Sequence, residues 1–197
     1  MRRVRKNKSK LFLPIFIIGI MVLSIFGVMI GGISQDQNIL EYNDINFRKD
    51  LNSYLFSVNG RDYRTIKGPE DINYLENEDL FTLIDDFSSG KYSKVYLDVS
   101  DLAVSTAVNE LYSNLGRHYS LVLSCKPEAK DEEHCLELPV VSCDSIDGGM
   151  LIIELIISNE LSSSYDQNCY SQSAGIEYLI ASMDYLVMDI VGVFDGN

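Results

Sequence analysis

The sequence predicts an α/β fold, in which a small antiparallel hairpin region leads into a βαβ-based sheet covered by a C-terminal amphipathic helix. Three observations predict it. An Asn-Gly pair lies between two short alternating segments, a strand–helix–strand pattern follows, and an apolar stripe runs along the last twenty residues. An N-terminal transmembrane helix precedes this domain, because residues 11–34 contain no charged side chain.

Basic and acidic residues are divided along the chain. Residues 1–34 hold six cations and no acid, whereas the remaining residues carry 10 cations against 29 acids. Nucleic-acid binding depends on Lys and Arg contacts to phosphate, so a domain this acidic predicts no nucleic-acid partner. The excess acid is typical of a solubilising surface, and a surface for cations or a basic partner is the alternative.

The apolar stretch 11–34 is long enough to cross the roughly 30 Å hydrocarbon core as a helix. The basic residues before it predict a cytoplasmic N-terminus, and hence an extracytoplasmic C-terminal domain, since excess Lys and Arg stay inside. A cleaved signal peptide is the alternative. Its apolar region would be shorter, and only Gly32-Ile33-Ser34 resembles a cleavage site. The prediction is therefore an uncleaved, single-pass signal-anchor in the cell membrane.

The domain boundaries follow from these features. Residues 1–10 are the basic cytoplasmic tail and 11–34 the transmembrane helix. Residues 35–42 form a polar linker, and 43–197 the acidic extracytoplasmic domain.

The first elements of the domain are short. Asn59-Gly60 is a strong signal for a type I′ hairpin turn and predicts pairing of Tyr54–Val58 with Arg61–Ile66. A further strand near Ile45–Phe47 makes a meander. Gly68-Pro69-Glu70-Asp71 predicts a helix start, because proline suits the first helical position and acids suit the positive end of the helix dipole.

A second helix is predicted around Glu78–Phe87. The strand Lys94–Val99 comes next and leads into a helix from about Val104 to Leu115, capped by Ser100 or Asp101. Gly116 lies where a left-handed C-cap belongs, and Tyr119–Ser124 alternates like a strand. This unit predicts two parallel strands joined by a crossover helix.

Two apolar runs, Leu138–Ser142 and Met150–Ser158, are typical of inner strands. The last helix, within Gly175–Phe194, carries an apolar stripe and three acids, Glu177, Asp184 and Asp189. Those acids would be costly in a bilayer. The sequence therefore predicts that the stripe packs on the sheet while the acids remain in water.

Four cysteines lie beyond the apolar stretch, on the side where disulfides persist. An even count predicts two disulfides. Three pairings are open, and locality favours Cys125 with Cys135 and Cys143 with Cys169. The spacings do not match a zinc site, even with His134 beside Cys135, and the C-x-x-C of a redox site is absent.

Catalytic motifs are absent from the sequence: it holds no G-x-S-x-G, H-E-x-x-H, P-loop or G-x-G-x-x-G pattern. Asp98-Val99-Ser100 resembles the start of the metal-binding D-x-S-x-S pattern of von Willebrand A-type domains. Leu102, however, stands in place of the second serine. Helix capping accounts better for these residues, so we expect no catalytic, cofactor-binding or metal-ligand residue and no cofactor.

Several segments together resemble a group of uncharacterised, single-span exported proteins from small-genome archaeal lineages. They are LFLPIFIIGIMVLSIFGVMIGG, FSVNGRDY, GPEDI, KVYLDVS and NCY followed by GIEYLIASMDYLVMDIVGVF. The resemblance implies the architecture and location given above and assigns no activity.

The sequence therefore favours a membrane-anchored extracytoplasmic binding or structural module of the cell envelope over an enzyme. The membrane, through residues 11–34, and an envelope protein are the expected partners. The alternative is an extracytoplasmic enzyme or metal-dependent site at the strand ends near Asp98 and Asp101.

Overall fold

The computed structural model describes residues 38–73, 75, 77–146 and 148–194. The predicted cytoplasmic tail and transmembrane helix, residues 1–34, lie outside the described residues. Within the described ranges no helix is both long enough and apolar enough to span a membrane. Residues Leu40–Asn197 belong to one compact unit.

Two sheets and four helices make up this unit. The first sheet is an antiparallel meander of β1 Ile39–Tyr42, β2 Ile45–Asp50, β3 Ser53–Val58 and β4 Arg61–Thr65, in that order. The helices are α1 Pro69–Ile72, α2 Glu78–Ser88, α3 Ser105–Leu115 and α4 Ile176–Ile190. The second sheet contains β5 Lys94–Asp98, β6 Leu121–Ser124, β7 Met150–Ile157, β8 Ser162–Asp166 and β9 Cys169–Ala174 in the order β6-β5-β7-β9-β8. The result is a mixed α/β fold.

The predicted hairpin is confirmed. Asn59 and Gly60 have φ values of 53° and 75°, as a type I′ turn requires, and Val58 pairs with Arg61 across them. The strand–helix–strand unit is confirmed as well, since β5 and β6 are parallel and α3 joins them. Asp101 accepts a hydrogen bond from the Ala103 N–H and so caps the 3-10 turn that precedes α3.

Two sequence predictions are wrong in detail, and one hairpin was missed. Gly116 is right-handed, with φ −62°, so α3 does not end in a left-handed cap. The run Leu138–Ser142 forms only a bridge between Cys125 and Val140, because Pro139 lacks an N–H and cannot continue a ladder. The hairpin of β8 and β9 was not predicted, since its serine-rich strands lack an apolar run.

Two apolar cores share α4. The first lies between the second sheet and α2, α3 and α4, and it includes Leu179, Met183 and Leu186. The second joins the first sheet to α1 and to other residues of α4, Ala181 and Met188. The C-terminal helix therefore packs on the second sheet, as predicted, but its other side is buried as well.

Burial on both sides overturns the prediction that all the acids of this helix remain in water. Glu177 is exposed, but Asp184 is fully buried. Its Oδ2 accepts hydrogen bonds from the backbone N–H groups of Ile66 (3.1 Å) and Lys67 (2.7 Å) in the link between β4 and α1. Asp184 thus ties the terminal helix to the end of the meander.

The structure contains two disulfides, which join Cys125 to Cys135 and Cys143 to Cys169. Their Cα atoms are 5.8 and 5.5 Å apart, in the usual range for a disulfide. The bonded residues border the loop that follows β6, where regular structure is limited to short 3-10 turns. The bridges therefore restrain the least regular part of the domain.

Candidate functional site

A cleft of about 1170 Å³ lies between the outer edge of β4 and helix α3. Gly60 to Arg64 line one side of it, and residues from Asn109 to His118 line the other. Ligand sites are concave and lined by a few convergent polar groups, which makes this cleft the first candidate for a binding site.

Arginine is concentrated in this cleft. Residues 35–197 contain four arginines, and three of them, Arg61, Arg64 and Arg117, line it. The ion pairs found in the described part of the chain all use lysine, so none of these guanidinium groups lies within 4.0 Å of a carboxylate there. In the described residues no carboxylate therefore competes for these three arginines, while Arg61 Nη1 contacts His118 and Arg64 Nε donates to Ser53 Oγ.

The position of β4 follows from its contacts with Asn114 of α3. The Asn114 side chain accepts a hydrogen bond from the Arg64 N–H at 3.0 Å and donates one to the Arg64 carbonyl at 2.7 Å. It therefore pairs with the strand as a neighbouring strand would. This contact sets the width of the cleft and holds Arg61 and Arg64 opposite the C-terminal end of α3.

His118 is held by its hydrogen bonds at the end of the cleft. Arg61 Nη1 lies 2.7 Å from His118 Nδ1, and Tyr63 Oη lies 3.1 Å from Nε2. The same Arg61 Nη1 lies 3.2 Å from Nε2, and because arginine can only donate, the ring nitrogen that bonds to it must accept and the imidazole is neutral in this contact. Partial burial, together with the charges of Arg61 and Arg117, lowers the pKa of His118.

Two carboxyl groups adjoin the inner wall of the cleft. Glu110 of α3 lines the cleft and interacts with the buried Asp184 of α4. Burial, together with the charge of Glu110, raises the pKa of Asp184 to about 8, while the hydrogen bonds from the Lys67 and Ile66 N–H groups act in the opposite direction. Burial also raises the pKa of Glu110. A proton on Asp184 therefore removes one of two adjacent negative charges and supplies a hydrogen-bond donor to the pair.

The strand ends predicted as the alternative site contain a charged cluster. Lys126 Nζ lies 3.5 Å from Asp98 Oδ2 and 3.1 Å from Glu154 Oε2. Burial lowers the pKa of Lys126, but Glu154 and Asp98 outweigh it and raise the pKa overall. Lys126 contacts both carboxylates and offsets one of their two negative charges.

The two aspartates named from the sequence act separately. Asp98 Oδ1 accepts hydrogen bonds from the Ser100 N–H and hydroxyl, at 3.0 and 2.5 Å. Asp101 is engaged with the Ala103 N–H instead. Capping therefore accounts for one oxygen of each residue, while the other oxygen of Asp98 belongs to the Lys126 cluster.

Two groups of potential metal donors occur in the described residues, and each contains a disulfide. They are Cys125, His134 and Cys135, and Cys143, Glu154 and Cys169. A cysteine binds a metal ion only as its thiolate. In each group the two cysteine sulfur atoms are bonded to one another, so neither is a thiolate. His134 Nε2 lies 3.2 Å from the Val99 carbonyl, a contact that positions the disulfide loop against β5.

The arginine cleft was not among the sites predicted from the sequence. Arg61 and Arg64 lie in the second strand of the hairpin, whereas Arg117 and His118 follow a helix more than fifty residues later. The sequence offered one signal of the cleft, the clustering of a rare residue type. Only four arginines occur in residues 35–197, and two of them lie within four residues of the Asn-Gly turn. Comparison with known proteins finds no matching family model, curated protein or solved structure.

Proposed function

We propose that this chain is a membrane-anchored extracytoplasmic binding module whose cleft binds an anionic group. One observation carries the proposal: three arginines without carboxylate partners converge on one cleft of a strongly acidic domain. Guanidinium groups bind carboxylate and phosphate through paired, charge-assisted hydrogen bonds. A solubilising surface would not require three cations to share one concave site.

Binding fits the cleft better than catalysis does. His118 is the side chain there most suited to acid–base chemistry, and it is hydrogen-bonded to Arg61 and Tyr63. Neither of these is a nucleophile that a histidine base activates in acyl transfer. Burial, followed by the charges of Arg61 and Arg117, lowers the pKa of His118, which disfavours a cationic imidazole, and His118 then acts as a support for Arg61.

The location is part of the same proposal. Residues 11–34 supply the anchor, and the basic residues before them place the N-terminus in the cytoplasm. Two disulfides in the domain support an oxidising compartment. The single-span exported group that the sequence resembles would have the same topology. An envelope protein is the partner that we propose for the domain.

Anion binding can be tested with citrate, using calorimetry at low salt on the full-length protein in a nonionic detergent. We expect binding that weakens as salt rises, since exposed charges are screened. Arg61→Ala and Arg117→Ala should each weaken it about tenfold, the effect of losing one charge-assisted hydrogen bond. Arg48→Ala, on β2 and outside the cleft lining, is the matched control. Unchanged citrate affinity in the Arg61→Ala/Arg117→Ala double variant would contradict the proposal.

The topology has its own test. Protease added to intact cells should digest residues 35–197 and leave the N-terminal tail protected, because the membrane shields the cytoplasmic side. A tag at residue 1 would report the protected fragment. Recovery of a soluble form beginning near Gln35 would show instead that the apolar segment is cleaved.

A second candidate, an extracytoplasmic enzyme or metal-dependent site, rests on the cluster at the strand ends. The connection after β5 leads to β6 on one side, and the connection after β7 leads to β8 and β9 on the other. Open α/β sheets bind ligands where such connections diverge, beyond the carboxyl ends of the strands. Asp98 lies at that end of β5, so Asp98, Lys126 and Glu154 are the residues on which this second candidate depends.

A further inference from the structure

We infer that the anion taken by the cleft is an acidic side chain of an extended polypeptide, whose backbone pairs with β4 at Asp62. This inference rests on the proposed function and narrows the ligand class to a short peptide segment. Its basis is that the cleft runs along an edge strand, which can accept a further strand.

The register of the hairpin shows which backbone groups of β4 face the cleft. Val58 and Arg61 close a two-residue turn, so they form a hydrogen-bonded pair. Such pairs alternate with non-bonded pairs along an antiparallel ladder. Asp62 and Arg64, which lie opposite Ser57 and Leu55, therefore direct their N–H and C=O groups away from β3. The Arg64 contacts with Asn114 agree with this assignment.

The outer edge of β4 is satisfied from Arg64 onward but remains open at Asp62. Asn114 covers Arg64, and Asp184 accepts the N–H of Ile66. Within the described ranges, the backbone N–H and C=O groups of Asp62 have no backbone hydrogen-bond partner outside the β3–β4 pair. One residue of an added segment can therefore hydrogen-bond to the N–H and the C=O of Asp62. The Asn114 side chain makes the same two bonds to Arg64, the next outward-facing residue of β4.

The charges around this edge favour an acidic segment. Arg61, Arg64 and Arg117 surround it, whereas the lining contains two acids, Asp62 and Glu110. The Asp62 carboxylate accepts a hydrogen bond from the Ser57 hydroxyl, and Glu110 lies against Asp184. Successive side chains of an extended segment point to opposite faces, so neighbouring acidic residues can reach arginines on the two sides of the strand.

A short acidic peptide suits the site better than a nucleic acid does. Beyond the cleft the domain is strongly acidic, and a long polyanion would extend over that surface and be repelled. A segment of a few residues keeps its charges within the cleft. At physiological salt the Debye length of about 8 Å screens the more distant acids.

The test uses a fluorescent hexapeptide in which two neighbouring Glu residues are flanked on each side by two Val residues, with anisotropy measured on the full-length protein in nonionic detergent. The decisive variant is Asp62→Pro, which removes the outward N–H and keeps the bonds to β3, because proline is tolerated where an edge N–H faces outward. Asp62→Ala is its control, since it loses the carboxylate and keeps the N–H. We expect Asp62→Pro to bind the peptide about tenfold more weakly than Asp62→Ala, with citrate affinity equal in the two.

The other outcomes separate this inference from the proposed function. Equal peptide affinity in the two variants, with citrate still bound, overturns strand pairing and leaves anion binding intact. Absence of citrate binding in the unmodified protein overturns both. If Asp62→Pro fails to fold, the same peptide with every second backbone amide N-methylated decides the question. There are two such methylation patterns, and the pattern that removes the N–H groups facing β4 should bind the unmodified protein more weakly than the parent peptide does. Tighter binding of a single-stranded oligonucleotide than of the peptide would also overturn the inference.

Discussion

Replacement of Leu186 by aspartate should leave the domain unfolded. Leu186 is fully buried in the middle of α4, within the core formed by the second sheet and its helices. The substitution removes about 1.5–3 kcal/mol of apolar burial and places a carboxyl group where it has no partner. The combined cost exceeds about 5 kcal/mol, the lower end of the stability of an ordinary domain. Circular dichroism and denaturant titration would measure the loss.

The same substitution at an exposed leucine provides the control. Leu102 is 58% exposed at the start of the 3-10 turn before α3. An aspartate there adds a negative charge at the start of a helical segment, which is neutral or mildly favourable. Leu102→Asp should therefore unfold at nearly the same denaturant concentration as the parent. A folded Leu186→Asp protein would show that α4 is not an integral part of the core.

Asp184→Ala should destabilise the domain by about 2–5 kcal/mol, because the N–H groups of Ile66 and Lys67 lose their acceptor at a buried position. Asp184→Asn is the matched variant, since its amide oxygen can still accept both bonds and its amide nitrogen can donate to Glu110. We expect Asp184→Asn to be close to the parent or more stable at neutral pH. Equal stability of the alanine and asparagine variants would contradict the role assigned to these bonds.

The same pair of carboxyl groups makes stability depend on pH. The ordinary pKa of an aspartate, 3.8, rises to about 8 for Asp184 in the folded protein. Between these values the folded chain keeps a proton that the unfolded chain has lost, so the contribution of Asp184 to stability falls as pH rises. Denaturant titrations across this window should show the parent losing stability relative to Asp184→Asn. A constant difference between the two would show that Asp184 does not titrate in this range.

The local parts of the fold could be predicted from the sequence, because their signals lie within a few residues. Asn59-Gly60 determines a turn through positive φ, and the apolar spacing of Leu80, Leu83, Ile84 and Phe87 determines which face of α2 is buried. β8 and β9 gave no such signal. In β9, Ser171 and Ser173 alternate with Tyr170, Gln172 and Ala174, so the buried face includes the polar Gln172, which donates to Ser182 of α4.

The candidate site depends on contacts distant in sequence, which residue patterns do not reveal. Asp184 is buried because α4 packs between two cores, an arrangement that no local pattern predicts. The backbone N–H groups that bond to Asp184 lie more than one hundred residues earlier in the chain. An acidic residue on the helix face opposite an apolar stripe is ordinarily exposed to solvent, so the sequence predicted an exposed side chain for Asp184. The convergence of Arg61 and Arg117 likewise depends on how the meander packs against α3.

The place of α4 in the chain has a consequence for biosynthesis. Both sheets are translated before residues 176–190, and each core lacks a wall until this helix is added. During that interval the apolar face of each sheet stays exposed on a growing chain, a state prone to aggregation. Tethering by the proposed anchor would keep neighbouring copies from diffusing freely while they wait. Folding of this domain is therefore completed late, when docking of a single helix completes two hydrophobic cores together.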